Sequence, residues 1–403
     1  MMIAVHLRDD AVTRKDHQPV ILFTIDVVQD RQQTTTGSAI SGGVVEEADF
    51  RFSLHRKMAY SRRVRVVFKD RLTPRESEAY VAFVEASPFG HYMQMPWFAP
   101  VAEAGRYLRS SYMLVYGDGD ELLACGMFLR ARVRGIPVPF GVFERGPVFR
   151  DASVVEGVLG ALKKAFPKRF LVRVRMHPYA LEAIQPEGGA PVSRRDDSVR
   201  RSLLECGLRE DVSLDGAHVN TLRLSLSRPT LADVFAGSER EGLRRKIKQA
   251  EKAGVDCRVT DSRDVALLME LYNQLMKSQD HAGKPLRWFE ALTSLLQDGH
   301  AIIVRSDLEG RPISMALFIR HGKQLTYHLG ASVTDKMKTS KLVLSFVRAA
   351  EWGREQGCTT LDLGGVPEAR DTDEKRNMIA RFKRDFTTDR VLLGRPFEWR
   401  WTP

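Results

Sequence analysis

The chain has 403 residues, 43% hydrophobic and 28% charged, a composition that excludes fibrous and low-complexity proteins and allows two or three packed domains. Its 62 Lys and Arg against 51 Asp and Glu leave a net charge of +11, which favours a polyanionic partner: nucleic acid, a nucleotide-linked phosphate or an anionic membrane face. No stretch reaches the roughly 18 to 20 apolar residues that cross a bilayer, and residues 1–15 lack the apolar run and cleavage site of a secretory signal, so a cytoplasmic protein is expected.

Residues 1–62 are the least regular part. The polar stretch 29–43 has few groups to bury, and either an irregular, poorly ordered extension or a translation start at Met58 is expected there. From Val64 the pattern becomes mixed α/β. Residues 63–69 read as a strand and 74–86 as a helix, and 112–116 with 122–130 form a hairpin turning through Gly117-Asp118-Gly119-Asp120. Residues 154–166 are amphipathic at helical spacing, 169–176 alternate as a strand does, and 198–205 form a helix closed by Gly207. A first domain over 63–225 is expected.

The second half, 226–403, repeats the order. A helix at 240–253 leads to a strand at 255–260, helices at 264–278 and 286–298, and a strand at 300–305. A hairpin, 313–320 with 324–329, turns at His321-Gly322-Lys323. A long helix, 341–356, ends at Gly357, and a short strand follows at 360–363. Helix, hairpin, helix and strand thus recur, which predicts two tandem copies of one mixed α/β fold.

Phosphate-loop, HExxH, GxSxG and strand-GxGxxG-helix signatures are absent, which removes the usual nucleotide-hydrolysing and zinc-hydrolytic classes. A Q-x-x-G-x-A string at 185–190, a pattern that wraps pyrophosphate in acyl-CoA enzymes, has no strand signal before it and carries little weight. Cys125, Cys206, Cys257 and Cys358 match no metal or disulfide spacing and read as buried small hydrophobes; no metal is expected. The strongest physical signal is the helix at 240–252. Arg240, Arg244, Lys248 and Lys252 recur every four residues opposite Leu243, Ile247 and Ala250. Like charges at that spacing cost roughly 0.2–0.5 kcal/mol per pair, so the stripe reads either as a surface for polyanions or as a solvated face eased by Glu241 and Glu251.

Residues 327–332 (YHLGAS), 340–369, which include the Trp352 helix and the DLGG turn, and 380–386 (ARFKRDF) resemble the C-terminal domain of the FemABX peptidyltransferases. Residues 88–97 (PFGHYMQMPW) and 144–148 (ERGPV) are similar to that family's Q-x-x-W and R-G-P-V elements, so the resemblance covers about 64–400. It implies two tandem GNAT-like (acyl-CoA N-acyltransferase-like) α/β domains. The family's inserted coiled-coil arm is absent, since Lys252 runs through Gly254 into the next strand. It further implies transfer of an aminoacyl group from the acceptor end of aminoacyl-tRNA to an amine on an anionic, phosphate-linked cell-wall precursor. No resident cofactor is implied, and peripheral contact with the inner membrane face is left open.

An aminoacyl ester is already activated toward an amine, so alignment and oxyanion stabilisation suffice as catalysis. By resemblance, Lys383 is the residue placed at the tRNA 3′ end or the oxyanion, with Phe382 beside it. Asp362 is a candidate proton acceptor, or else a turn former bonded to its own backbone. Arg244 and Lys248 are candidate phosphate contacts. Gln94 and Trp97 are candidate linings of a cleft between the domains, or else buried structural residues. Tyr327 and His328 lie at a strand end suited to ligand binding, with His328 a candidate base or a hairpin residue without a role. Trp352 fits the core better than a substrate platform.

Two departures stand out. Phe386-Thr387-Thr388 replaces the family's F-G-G, and no lysine follows closely after Trp97, so the resemblance does not fix the acceptor. Two other readings stay open: an acyl-CoA-dependent N-acyltransferase of envelope polysaccharide, and a non-catalytic tRNA- or glycolipid-binding module.

Overall fold

Thr73 opens the first helix with a reciprocal cap: its hydroxyl accepts from the Glu76 amide, and Glu76 bonds back to the Thr73 amide. That helix is α1 (Pro74–Ala86), and it follows strand β1 (Arg65–Lys69) in a computed structural model. The model describes residues 64–401 except 107, 134–135, 180, 186–197, 212–218, 237–240, 336, 338 and 368–373. The expected extension at 1–62, most of the string at 185–190, and Arg240 lie outside the described residues.

After α1 come α2 (Ala99–Arg106), β2 (Leu108–Tyr116), β3 (Leu122–Val133), β4 (Ile136–Phe143), β5 (Val148–Phe149), α3 (Val155–Ala165), β6 (Arg173–Met176), β7 (Leu181–Gln185), α4 (Ser198–Glu205), β8 (Arg209–Glu210) and β9 (Asn220–Ser225). The second half holds α5 (Leu231–Val234), α6 (Glu241–Lys252), β10 (Val255–Thr260), α7 (Val265–Ser278), α8 (Leu286–Gln297), β11 (Ala301–Leu308), β12 (Arg311–His321), β13 (Gln324–Ser332), α9 (Val343–Glu355), β14 (Thr360–Gly365), α10 (Glu374–Arg384), β15 (Arg390–Leu393) and β16 (Phe397–Arg400).

These strands form two sheets, ordered β1-β2-β3-β4-β6-β16-β8, with β5 on β3, and β10-β11-β12-β13-β14-β9-β15-β7. Each has one parallel junction, β4 with β6 and β13 with β14, reached through a helix as a parallel crossover requires. The two halves are thus copies of one topology. The sheets do not divide at residue 225, however. The C-terminal β16 pairs with β6 in the first sheet, while β7 and β9, from the first half, pair with β15 and β14 in the second.

Period-2 alternation sorts the strands of the second sheet between two cores. Ala301, Ile303, Met315, Leu317 and Ile319 join the core of the first sheet, whereas Ile302, Val304, Ala316 and Phe318 face a separate core under α9. Helices α7 and α8 carry Leu268, Leu271, Trp288, Phe289, Leu292 and Leu295 into the first core. At about 1.5–3 kcal/mol for each large apolar side chain buried, this shared core binds the two halves into one body. Trp352 packs on the second core, as expected. Cys125 and Cys358 are buried, but Cys206 and Cys257 are only partly so. Among the described residues no helix is long and apolar enough to cross a membrane.

Candidate active site

In β13 the alternation slips once. Leu325 belongs to the second core and Leu329 and Ala331 to the first, although all three are odd positions. The slip is a bulge: Phe318 faces Tyr327 and Leu317 faces Leu329, leaving His328 unpaired. Here the parallel junction also ends. β13 and β14 pair only through Gln324–Thr360, Leu325–Leu361 and Thr326–Asp362, and beyond Asp362 the strands part.

Lys383, near the end of α10, points into that opening. Its Nζ donates to the Gly365 carbonyl at 2.7 Å and lies 5.7 Å from the centre of the Tyr327 ring. The residue is 6% exposed, and burial pulls its pKa down to about 8, with Asp362 opposing the shift. Gly364 is required at the mouth. Its φ of +76° suits glycine, and a Cβ there would sit 3.3 Å from the Tyr327 carbonyl oxygen and 3.6 Å from Lys383 Nζ. The opening therefore presents a desolvated ammonium beside backbone that no side chain crowds, an arrangement suited to a developing oxyanion.

Asp362 is brought near Lys383, but it is not a free base. It accepts hydrogen bonds from the Gly364 amide at 2.8 Å, from the Tyr179 hydroxyl at 3.2 Å, from Arg223 Nε at 3.3 Å and from the Thr221 hydroxyl. With its oxygens so engaged, it shapes the turn and anchors a buried network, which corrects the proton-acceptor reading. Arg223 and Tyr179 also bond to each other, and Gln324 Nε2 lies 3.5 Å from the Tyr179 hydroxyl. Tyr179, Thr221 and Arg223 were not singled out in the sequence, for they belong to no motif and lie far from Asp362 along the chain.

Phe382 is partly buried: its ring is 5.4 Å from those of Phe346 and Phe386, so one side of it packs against the second core beside Lys383. Gln94 needs a correction. It is fully buried, donates to the Glu144 carbonyl at 2.5 Å and accepts from the Met127 amide at 2.8 Å, so neither end of its amide is left for a ligand. Trp97 stacks on His300 at 4.3 Å, joining the first half to the start of β11.

Tyr327 lines the opening, its ring against Phe318 and Phe346, and burial raises its pKa. His328 is enclosed by Phe98, Tyr92 and a stacked Trp288, with Nδ1 2.7 Å from the Tyr92 hydroxyl. Burial, with Lys284 nearby, lowers its pKa to about 3. With so low a pKa the ring holds a proton too weakly to serve as a base near neutrality, and it sits in the seam, which corrects its candidacy there.

The basic helix α6 buries Leu243 and Ala250 and exposes Lys248, Arg245 and Lys252. Arg244 is partly buried. Lys246 pairs with Asp385 at 2.5 Å, tying α6 to the end of α10 and so to the segment that carries Lys383. Among the described residues no cluster of His, Cys, Asp or Glu has the arrangement to hold a metal.

The paired topology with its parted parallel strands is that of acyltransferases of the GNAT fold, and comparisons with known proteins agree. An acetyltransferase (GNAT) domain model matches residues 237–384, and a model of the FemAB family matches residues 75–307. The second match spans more than half of the chain, which belongs to the FemAB family; the protein is a transferase of the acyl-transferring kind, in a family of aminoacyl transfer for the cell envelope.

Among solved structures, FemX superposes with a TM-score of 0.67 at 16% identity, covering 84% of this chain and 97% of that one. L-PGS from Bacillus licheniformis gives 0.52 at 15% identity, covering 81% and 92%. A tandem GNAT protein from the clavulanic acid biosynthesis pathway gives 0.52 at 11%, covering 85% and 99%. At these identities the likeness is one of fold. No curated protein matches the chain.

Proposed function

We propose that the protein transfers an aminoacyl group from aminoacyl-tRNA to an amine of a peptidoglycan precursor or related envelope glycoconjugate. The observation that carries this reading is Lys383: a buried ammonium aimed into the gap between β13 and β14, bonded to the Gly365 carbonyl. In the reaction the neutral amine attacks the ester carbonyl and a C–N bond forms. The C–O bond to the ribose then breaks, and the proton lost by the amine ends on the departing ribose oxygen. Lys383 stabilises the tetrahedral oxyanion between these events, while Tyr327 and Gly364 shape the space for the acyl group. Exposed Lys248 and its neighbours on α6 supply phosphate contacts for the tRNA, whose strength falls with salt. No resident cofactor enters this scheme.

The match to a GNAT domain over 237–384 favours one second reading, in which the donor is an acyl-CoA and the acceptor an amine of an envelope polysaccharide. A single experiment separates the two. Purified protein is given a pool of tRNAs charged with labelled amino acids, or labelled acyl-CoAs, together with nucleotide-linked and lipid-linked muropeptides. Label moving from tRNA to the muropeptide, and lost in Lys383→Ala, is the expected result. Transfer from acyl-CoA alone would replace the first reading with the second, and transfer from neither donor would overturn both.

A further inference from the structure

Around Tyr179 the protein gathers two guanidiniums and a buried histidine ring. The guanidinium of Arg145 lies 5.7 Å from the Tyr179 ring centre, that of Arg223 5.2 Å, and the His91 ring 4.6 Å. His177 and His321 border the same group, each near enough to act on His91. Asp362 and Glu144 are the acids that act on Arg145, and Asp362 is bonded to Arg223.

Arg145 has no carboxylate bonded to it among the described residues. Its one polar contact is Nη1 at 3.2 Å from His177 Nε2, and that same nitrogen lies 3.0 Å from the Gly394 carbonyl oxygen. One ring nitrogen cannot serve both neighbours. Toward a carbonyl it must carry hydrogen, and it then has no lone pair to offer a guanidinium. The shorter contact, to the carbonyl, pairs a buried donor with an acceptor, and Arg145 is left without one. A partly buried guanidinium without a hydrogen-bond acceptor costs free energy unless something fills its place.

Two further facts show that the position is imposed. Arg145 sits at φ +57°, a left-handed conformation that is strained for a non-glycine residue and clusters at ligand sites. The residue also keeps part of its surface exposed while Gly146 and Pro147 behind it are buried, so a ligand can reach it.

We propose that Arg145, backed by Arg223 and His91, seats an oxyanion of the acceptor substrate, a phosphate or a carboxylate; this rests on the transferase reading above. The planar guanidinium fork matches either group. Burial keeps His91 and His321 from charging, Asp362 is bonded to Arg223, and no carboxylate among the described residues is bonded to Arg145, so its guanidinium keeps its donors for a bound anion. Asp362, which anchors this cluster, lies on the same strand as Gly365, which holds Lys383. An acceptor held here by its anion would thus be tethered along the strand that leads to the transferring lysine.

The test is calorimetric titration of the full chain, at fixed ionic strength, with inorganic pyrophosphate and separately with acetate. Saturable one-to-one binding is expected, weakened about tenfold to a hundredfold in Arg145→Gln and unchanged in Arg263→Gln, at a side chain that is 89% exposed. Tighter pyrophosphate binding would identify a phosphate-linked acceptor, and tighter acetate binding a peptide carboxylate; each supports the seat. Circular dichroism checks the fold, and Arg145→Lys, which keeps the charge without the fork, gives the same reading if Arg145→Gln fails to fold. No saturable binding of either anion, or equal affinity in the arginine variants, overturns the proposal. Anion binding without any transfer activity would instead sink the transferase reading and leave the seat standing.

Discussion

Lys383 holds its Nζ 2.7 Å from the carbonyl oxygen of Gly365, and that one bond fixes the end of α10 to the strand end where β13 and β14 part. The position is costly. A folded-state pKa of about 8 against an ordinary 10.5 corresponds to roughly 3 kcal/mol of unfavourable burial at neutral pH, offset in part by the bond to Gly365.

Replacing Lys383 with methionine should therefore separate stability from function. The variant loses the buried charge and keeps most of the volume, so it should melt a few degrees higher at pH 7 than the parent. Its transfer rate should fall about a hundredfold or more, the usual loss when one oxyanion donor is removed. In the parent, Lys383 acts as a cation, so the rate should fall as pH rises through about 8. Stability should change in the opposite sense. Between about pH 8 and 10.5 the unfolded chain binds more protons at this group than the folded one, and folding stability gains from it as pH rises. Melting curves and kcat/KM across pH 6.5 to 10 would check both, and a methionine variant that is less stable and fully active would reject the assignment.

Gln94→Leu should act on stability and not selectively on substrate affinity. The substitution removes the bond to the Glu144 carbonyl and leaves the Met127 amide without Gln94 as its acceptor, at about 1–3 kcal/mol for a buried group left unpaired. Gly146 packs against the same amide, where an added Cβ would come within 2.5 Å. A lower urea midpoint with acceptor KM unchanged in the folded fraction is expected; a selective rise in KM at unchanged stability would restore Gln94 to the cleft.

The repeat, the hairpins and the helices of both halves were legible because their signals are local: alternation, amphipathic spacing, and glycines closing helices. β4 was not, since Pro137 and Pro139 have no amide hydrogen to give a ladder, yet the strand runs as Ile136–Phe143 between β3 and β6. The exchange of β16 and β9 between sheets leaves no local mark at all. At the site, Lys383 and Asp362 could be found through the R-F-K and D-L-G-G strings they belong to. Tyr179, Thr221 and Arg223 could not, because what joins them to Asp362 is burial across sheet neighbours and not spacing. Gln94 lies beside a recognisable motif and was drawn toward function by that proximity, although it is fully buried.

The buried histidines predict the acid limb of stability. His328 and His321 have pKa values lowered to about 3 and about 4 by burial, and His91 is also lowered. Each is neutral when folded and takes a proton near pH 6.5 when unfolded, so the unfolded chain binds more protons as pH falls below about 6.5. Stability from these groups is complete above that value and declines toward pH 3 to 4. Chemical denaturation at pH 7.5 and pH 5 should show a lower folding free energy at pH 5. In proton NMR the His328 ring signal should stay put from pH 8 to 5; a midpoint near 6.5 would mean that the ring is open to solvent and available as a base.

The exchange of strands predicts that the halves cannot be separated at the point where their sequence patterns divide. A fragment of residues 226–403 keeps β14 but lacks β9, which covers its free edge in the intact chain, and keeps β16 without β6, its partner. It also loses the Arg223 and Thr221 bonds to Asp362, leaving a buried carboxylate without the cation that matches it. Exposed strand edges and an unpaired buried charge both work against a unique fold. The fragment should show no cooperative urea transition and should aggregate, whereas co-expression with residues 63–225 should recover a soluble complex containing both sheets. A sharp two-state transition for 226–403 alone would mean that β9 and β16 are dispensable edge strands and that the second half folds independently.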